Sequence, residues 1–212
     1  MQATRIIAVR HGETAWNVDT RIQGHLDIAL NATGQWQARR LAQALRSEDI
    51  AAIYSSDLAR ARETAQAVAT LSGAPLLADP GLRERSFGDF EGRTFAQIER
   101  ERPEDARRWR QRDPGFVPAG GESLLMLQER IAQTVATLAA RHDGEQILLV
   151  AHGGVMDMLY RLATHLHLQA PRTWQLTNAA INRLLWTGES LALVGWADTR
   201  HLDGASRDES LS

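Results

Sequence analysis

Two apolar runs in this chain stop in the same way. Ile6-Ile7-Ala8-Val9 ends in Arg10-His11-Gly12, and Ile147-Leu148-Leu149-Val150-Ala151 ends in His152-Gly153-Gly154. Each run is short and rich in branched side chains, the pattern of a strand buried on both faces of a parallel sheet. Ligands of open α/β sheets gather at the carboxyl ends of the strands, so two such strands lying side by side bring both imidazoles to one edge. A guanidinium and an imidazole beside an approachable glycine backbone point to an anion site. A hydrogen-bonded or solvated basic pair is the plainer alternative.

Between and around these runs, strand and helix patterns alternate. Residues 13–30 carry Gly24 and Asn17 and hold no sustained period, which reads as a long functional loop. Asn31 introduces a helix with Leu41 and Leu45 on one face, and residues 50–56 form a second strand. Ser55-Ser56-Asp57 then resembles a helix N-cap, with a helix over 58–71 ended by Gly73-Ala74-Pro75. Residues 76–78 form a short strand, and Asp79-Pro80-Gly81 a turn. Residues 82–92, with two glycines, two aromatics and paired charges, read as a second working loop. Residues 94–112 are polar and helical, broken at Pro103, and 120–142 open on Gly120-Gly121-Glu122-Ser123 into a helix with Leu127, Ile131 and Val135 on one stripe. A helix over 155–167 follows the second histidine run, and residues 182–196 close the chain as a hairpin. The expected fold is α/β: three layers, α/β/α, around a mostly parallel central sheet. It is read as one domain over 1–203, with 94–120 as a helical cap insertion and 204–212 as a disordered tail.

Composition narrows the chemistry. The chain has 212 residues and no cysteine, so disulfides, thiolate metal sites and cysteine nucleophiles drop out. A net charge of -2 gives no global attraction to nucleic acid, and no apolar stretch approaches a membrane span. No basic region followed by an apolar one opens the sequence, which leads to an expected cytoplasmic location with neither nucleic acid nor membrane as partner.

Four motifs stand in order along the chain: Arg10-His11-Gly12; Ser55-Ser56-Asp57-Leu58-Ala59-Arg60; Leu82-Arg83-Glu84 with Phe87-Gly88 and Glu91-Gly92; and Ala151-His152-Gly153-Gly154. Together they make the chain resemble the histidine phosphatase superfamily, the phosphoglycerate-mutase-like proteins, from residue 5 to about residue 186. The resemblance implies that His11 attacks phosphorus and becomes a phosphohistidine, with Arg10, Arg60 and His152 around the phosphoryl oxygens. It implies Glu84 as the group that protonates the departing oxygen and then deprotonates the attacking water. Asn17, Gln23, Gly24, Ser123 and Gly153 match positions that line the family's pocket. Ser123 serves equally as the first residue of a helix.

The chemistry is coherent without the resemblance. A phosphomonoester is anionic and repels nucleophiles, so its oxygens need neutralising and its attacker must work without ionising at neutral pH. Neutral imidazole does. Two arginines supply permanent planar charge, and a bound dianion favours a protonated His152. To hold a proton near neutrality, Glu84 needs burial near Phe87 or the phosphate beside it. Side chains supply all the positive charge, so no metal or other cofactor is called for.

Other residues draw weaker readings. Asp57 reads as a helix cap that also orients Arg60. Glu13 beside a phosphate would be repulsive and stays outside the catalytic set. His25 either touches substrate or nothing, and His165 with His167 read as a solvated helix-end pair rather than metal ligands. Arg107, Arg108, Arg110 and Arg112 follow Glu99, Glu101, Glu104 and Asp105, which favours a salt-bridged helix over a nucleic-acid surface. The tryptophans at 36, 174, 186 and 196 read as core and hairpin packing.

The family's mutases carry a tyrosine-glycine after the glutamate and then a glycine-leucine-asparagine-lysine run. Here the residues are Phe87-Gly88 and Gly92-Arg93-Thr94-Phe95, and the missing hydroxyl and lysine favour hydrolysis. The expected function is therefore a metal-independent phosphatase acting on small phosphomonoesters. A cofactor-dependent phosphoglycerate mutase is the alternative, and a phosphate-binding module without catalysis a second one. Arg93 keeps a positive charge near the pocket, which suits a phosphorylated acid or sugar. The oligomeric state stays open, a homodimer being one option.

Overall fold

The apolar run at the N-terminus forms β1 (Thr4–Arg10), and the second histidine run forms β4 (Gln146–Ala151). They are parallel neighbours, with Arg10 in register with Ala151. β2 (Ala52–Ser55) lies on the other side of β4, and β3 (Leu76–Ala78) extends the sheet beyond it, both parallel. The hairpin strands β5 (Ile181–Trp186) and β6 (Leu191–Asp198) are antiparallel, giving the order β3-β2-β4-β1-β5-β6. The sheet is mostly parallel, as expected. The computed structural model describes residues 2–203, so the expected tail over 204–212 lies outside the described residues.

Seven α-helices are described: α1 (Ala15–Val18), α2 (Ala32–Leu45), α3 (Ala59–Ser72), α4 (Phe95–Glu101), α5 (Pro103–Arg110), α6 (Leu124–Ala139) and α7 (Gly153–Thr164). Alternate residues of each central strand feed opposite layers. Ile7, Val9, Ile53, Leu148 and Val150 pack with Leu41, Ala61, Ala65 and Val68 of α2 and α3. Ile6, Ala8, Ile147 and Leu149 pack with Leu127, Ile131, Val155 and Leu159 of α6 and α7. The result is the expected three-layer sandwich. Trp186 and Trp196 pack against the second cluster, and Trp174 is buried against Tyr160.

Residues of the 94–120 segment build a third, separate cluster in which Ile98, Ala106 and Phe116 surround Phe90, with Phe87 and Trp109 stacked at its margin. Thr94 caps α4 in a capping box with Gln97, and Pro103 separates α4 from α5 at the first position of the new helix, where its missing N–H costs nothing. Two of the four arginines pair with the preceding acids as expected, Arg107 with Glu104 and Arg110 with Glu99, while Arg108 pairs with Asp113 and Arg112 with Asp157.

Four expectations need correction. Residues 13–30 are not all loop: Thr14 and Asn17 form a capping box that closes the short α1, too brief to show a period. Asp57 does not cap α3; its carboxylate takes a two-pronged bond from Arg83 at 2.7 and 2.5 Å, and the N–H of Ala59 instead reaches Asp27 Oδ1 at 2.7 Å. α7 begins at Gly153, two residues earlier than its apolar stripe suggests, and ends before His165, which sits left-handed at φ 55°. α6 stops at Ala139 rather than His142.

Candidate active site

β1 and β4 end together, so the residues that follow them share one rim. The rings of His11 and His152 stand 5.2 Å apart, centroid to centroid, and both side chains are buried. His11 Nδ1 lies 2.6 Å from the carbonyl of Gly12. A carbonyl only accepts, so Nδ1 carries the proton and Nε2 keeps its lone pair. Asn178 donates to the His11 carbonyl at 2.8 Å and Thr64 accepts from the Gly12 N–H at 3.0 Å, which fixes the backbone under the ring. Gly12 is required by crowding: a Cβ there would lie 2.5 Å from the carbonyl oxygen of Gly34.

Burial pushes both imidazoles well below the usual histidine range, and Arg10 and Arg60 add repulsion in the same direction. The ligand-free site thus holds two neutral rings. The protonated His152 expected with a bound dianion belongs to the occupied site, where the anion offsets the two arginines. Neither ring nitrogen of His152 has a partner among the described residues, and the same is true of Arg10 Nε and Arg60 Nε. Buried polar atoms are nearly always bonded, so four such nitrogens at one place mark where an anion fits.

Arg60 sits in the first turn of α3 and is almost fully buried. Its Nη1 and Nη2 donate to the carbonyls of Leu26 at 2.9 Å and Gly24 at 2.8 Å. Gly24 therefore holds the arginine rather than facing the cavity with its carbonyl. Arg10 is anchored similarly, Nη1 donating to the Leu176 carbonyl at 2.6 Å. Glu84 reaches across from the loop after β3. Both its oxygens accept from the Gly154 N–H, at 3.1 and 3.0 Å, and Oε1 also accepts from the Arg85 N–H. The N-terminus of α7 presents free N–H groups and the positive end of the helix dipole, which suits a carboxylate there.

A cavity of 180 Å³ is lined by Arg10, His11, Asn17, Gln23, Gly24, Arg60 and Glu84, together with Arg21, Ile22 and Phe87. Seven expected site residues therefore meet in one space, and His152 adjoins it through His11. Gly153 lines the neighbouring cavity instead. Ser123 lines neither: its Oγ caps α6, accepting from Met126 N–H at 3.0 Å, so its helix-end reading holds. Arg93 is likewise not in the pocket, being paired with Glu101 at the surface.

Several residues here escaped the sequence reading. Arg21 lines the smaller cavity and Arg85 and Arg172 its neighbour, which Arg112, read only as part of a salt-bridged helix, also lines. His25, left undecided, bonds the Glu84 carbonyl through Nε2 at 2.8 Å and so braces that residue. Glu91 Oε1 accepts from the N–H groups of both His25 and Phe87, joining the two working loops. Glu13 accepts from Asn31, away from this chemistry. Among the described residues no three histidine, aspartate or glutamate side chains gather as a metal site, His165 and His167 included. No described helix is long and apolar enough to cross a membrane.

The sequence profile of the histidine phosphatase superfamily (branch 1) matches residues 6–199. Phosphoglycerate mutase-like protein 4 of Arabidopsis thaliana is 40% identical over 202 residues, covering 93% of this chain and 86% of that protein. The metal-independent phosphoserine phosphatase of the same plant is 34% identical over 204 residues, 95% of this chain and 84% of that one. Among solved structures, the YhfR protein of Bacillus stearothermophilus superposes with a TM-score of 0.87 at 32% identity, covering 94% of this chain and all of its own.

Proposed function

The chain belongs to the histidine phosphatase superfamily, branch 1, and from that premise we propose that it hydrolyses small phosphomonoesters through a phosphohistidine on His11. One observation carries the assignment of residues: a buried neutral imidazole with its Nε2 lone pair free, ringed by unpartnered nitrogens of Arg10, Arg60 and His152.

In the first step the Nε2 lone pair attacks phosphorus and the P–O bond to the leaving group breaks. Glu84, in its acid form, gives its proton to the departing oxygen. Arg10 and Arg60 meet the phosphoryl oxygens from two sides, each already anchored at its other end, so little reorganises as charge moves. His152 gains its proton as the dianion binds and adds a third donor. In the second step Glu84, now a carboxylate, takes a proton from water, the water oxygen bonds phosphorus, and the P–N bond returns its electrons to His11. Gln23 and Asn17 line the same cavity as Glu84. Positive charge comes from side chains throughout, so turnover is expected to persist in EDTA.

Relatives carry both phosphatase and mutase-like names, and two features favour water as the acceptor. Phe87 offers no hydroxyl, and Arg93 is engaged by Glu101. Phosphoserine and 3-phosphoglycerate are accordingly the first substrates to try, with free phosphate as the expected product. Rapid acid-free quenching after labelled substrate should trap base-stable, acid-labile phosphate on His11. His11→Ala should lose at least about a thousandfold in turnover. Label on another side chain, or near-normal turnover in the variant, would overturn the assignment.

A further inference from the structure

A second cavity, of 370 Å³, adjoins the 180 Å³ phosphate pocket, and the two share Arg10 and Phe87. Glu84 lines the smaller one while its carboxylate rests on Gly154, which lines the larger. The glycine makes room for that carboxylate: a Cβ on residue 154 would stand 2.3 Å from Glu84 Oε1 and displace it. With the phosphoryl group at His11, the ester oxygen has to face Glu84, so the substituent beyond that oxygen enters the larger cavity.

The lining of this cavity has two characters. Phe87, Trp109, Leu124, Leu127, Met158 and Leu176 are apolar, and Phe87 and Trp109 are half-buried with rings stacked at 5.1 Å. The charged residues are Arg10, Arg85, Arg112, Arg172 and one carboxylate, Asp157. Asp157 is already paired through Oδ2, which accepts from Arg112 at 2.6 Å and Arg161 at 3.1 Å, while its buried Oδ1 has no partner among the described residues. Arg10 is matched by the phosphoryl group. Arg85 and Arg172 are left with no carboxylate at ion-pair distance among the described residues. Arg85 is 6% exposed, bonded to the carbonyls of Glu122 and Phe116, with its guanidinium 5.3 and 5.8 Å from the Phe87 and Trp109 ring centres. Burial lowers it to about 10, still a cation at neutral pH. The cavity is therefore apolar-walled and positively charged, and its 370 Å³ leaves room for a leaving group larger than three carbons.

We propose that the preferred substrates carry a ring in the leaving group with an acidic substituent on it: the ring lies against Phe87 and Trp109, and the acid faces Arg172. This rests on the phosphatase reading above and narrows its substrate class. Arg85 acts as a positioning residue that holds the two rings and keeps the wall positive.

The test compares 4-carboxyphenyl phosphate, 4-carbamoylphenyl phosphate and glycerol 3-phosphate as substrates of the full chain. The first two differ in charge but little in shape, and taking ratios between wild type and variant cancels their intrinsic reactivity. In Arg172→Gln the carboxy-to-carbamoyl ratio of kcat/KM should fall about tenfold, the size of one charge-assisted contact. In Trp109→Ala the ratio of either aryl ester to glycerol phosphate should fall by several-fold to about tenfold. Unmoved ratios in both variants, with label still trapped on His11, would overturn this proposal and leave the phosphatase reading intact. Absence of turnover and of label with every ester would overturn both.

Discussion

The imidazoles of His11 and His152 lie 5.2 Å apart at an interplanar angle of 60°, both buried and both neutral in the ligand-free site. Parallel pairing of β1 with β4 sets this distance, and two arginines flanking uncharged rings make a receptor whose charge is completed by the substrate.

That arrangement makes stability pH-dependent. The folded-state values of both histidines lie well below 6.5, while an unfolded chain titrates near 6.5. As pH falls through 6.5 the unfolded state gains protons and the folded one does not, so stability present above that pH is lost on acidification. The slope is at most about 1.4 kcal/mol per pH unit for each histidine. Urea midpoints of the ligand-free protein should drop between pH 7 and 5, and less steeply in His152→Asn. Inorganic phosphate should recover part of the loss, because the anion favours a protonated His152. A midpoint flat over that range would contradict the neutral pair.

Glu84 should matter in both chemical steps but not equally for every ester. In Glu84→Gln, kcat on glycerol 3-phosphate is expected to fall by about a hundredfold or more, since an alkoxide leaves badly without a proton. p-Nitrophenolate leaves unaided, so with p-nitrophenyl phosphate the variant should release one equivalent of phenolate quickly and then stall as phosphoenzyme. Stopped-flow absorbance reads the burst. Equal losses on the two esters, without a burst, would remove Glu84 from the proton-transfer role.

Much of this was readable before any fold was known. Apolar runs of four or five residues ending in histidine and glycine announce buried strands and their functional ends, and the stripes of α2, α3 and α6 follow the helical period. What failed was local inference where the partner is distant. Ser55-Ser56-Asp57 satisfies a capping signature, yet Arg83 captures Asp57 while Asp27, far upstream, takes the Ala59 N–H. Ser123 matched a pocket position because helix caps and pocket walls favour the same small polar residues. Arg85 and Arg172 gave no signal, since an arginine declares its use only through what surrounds its guanidinium.

Gly154 separates the site from the scaffold. A methyl group at this position would sit 2.3 Å from Glu84 Oε1, the mobile end of a side chain, and only 3.5 Å from Leu127. The carboxylate yields rather than the fold. Alanine also favours a helix over glycine by about 1 kcal/mol. Gly154→Ala should therefore hold or raise the melting temperature while lowering kcat in the manner of Glu84→Gln, most on esters with poor leaving groups. A variant that unfolds early, or that keeps full activity, would show that Glu84 is not seated as described.

Asp157 tests what ties the helical segment over 94–120 to the sandwich. Arg112, beyond the end of α5, adopts φ 51°, a costly conformation for a residue that carries a Cβ, and is held there by bonds to the Leu168 carbonyl and to Asp157 Oδ2, both at 2.6 Å. The same oxygen accepts from Arg161, whose side chain is fully buried and whose other nitrogens donate to the carbonyls of His167 and Ala170. Removing the carboxylate leaves a buried cation without its counter-charge, a loss of about 3–5 kcal/mol in comparable buried pairs. Asp157→Ala should lower the unfolding free energy extrapolated from urea titration by that much, and Asp157→Asn by less, because the amide oxygen still accepts. Arg112→Ala exposes a different weakness: Arg161 keeps its partner, so stability should fall less, while freedom at the end of α5 loosens Trp109 over the leaving-group cavity. KM for aryl esters should then rise with little change in kcat. Equal destabilisation by Asp157→Ala and Arg112→Ala would mean that the Arg161 pair contributes nothing, and that Asp157 serves the helical segment alone.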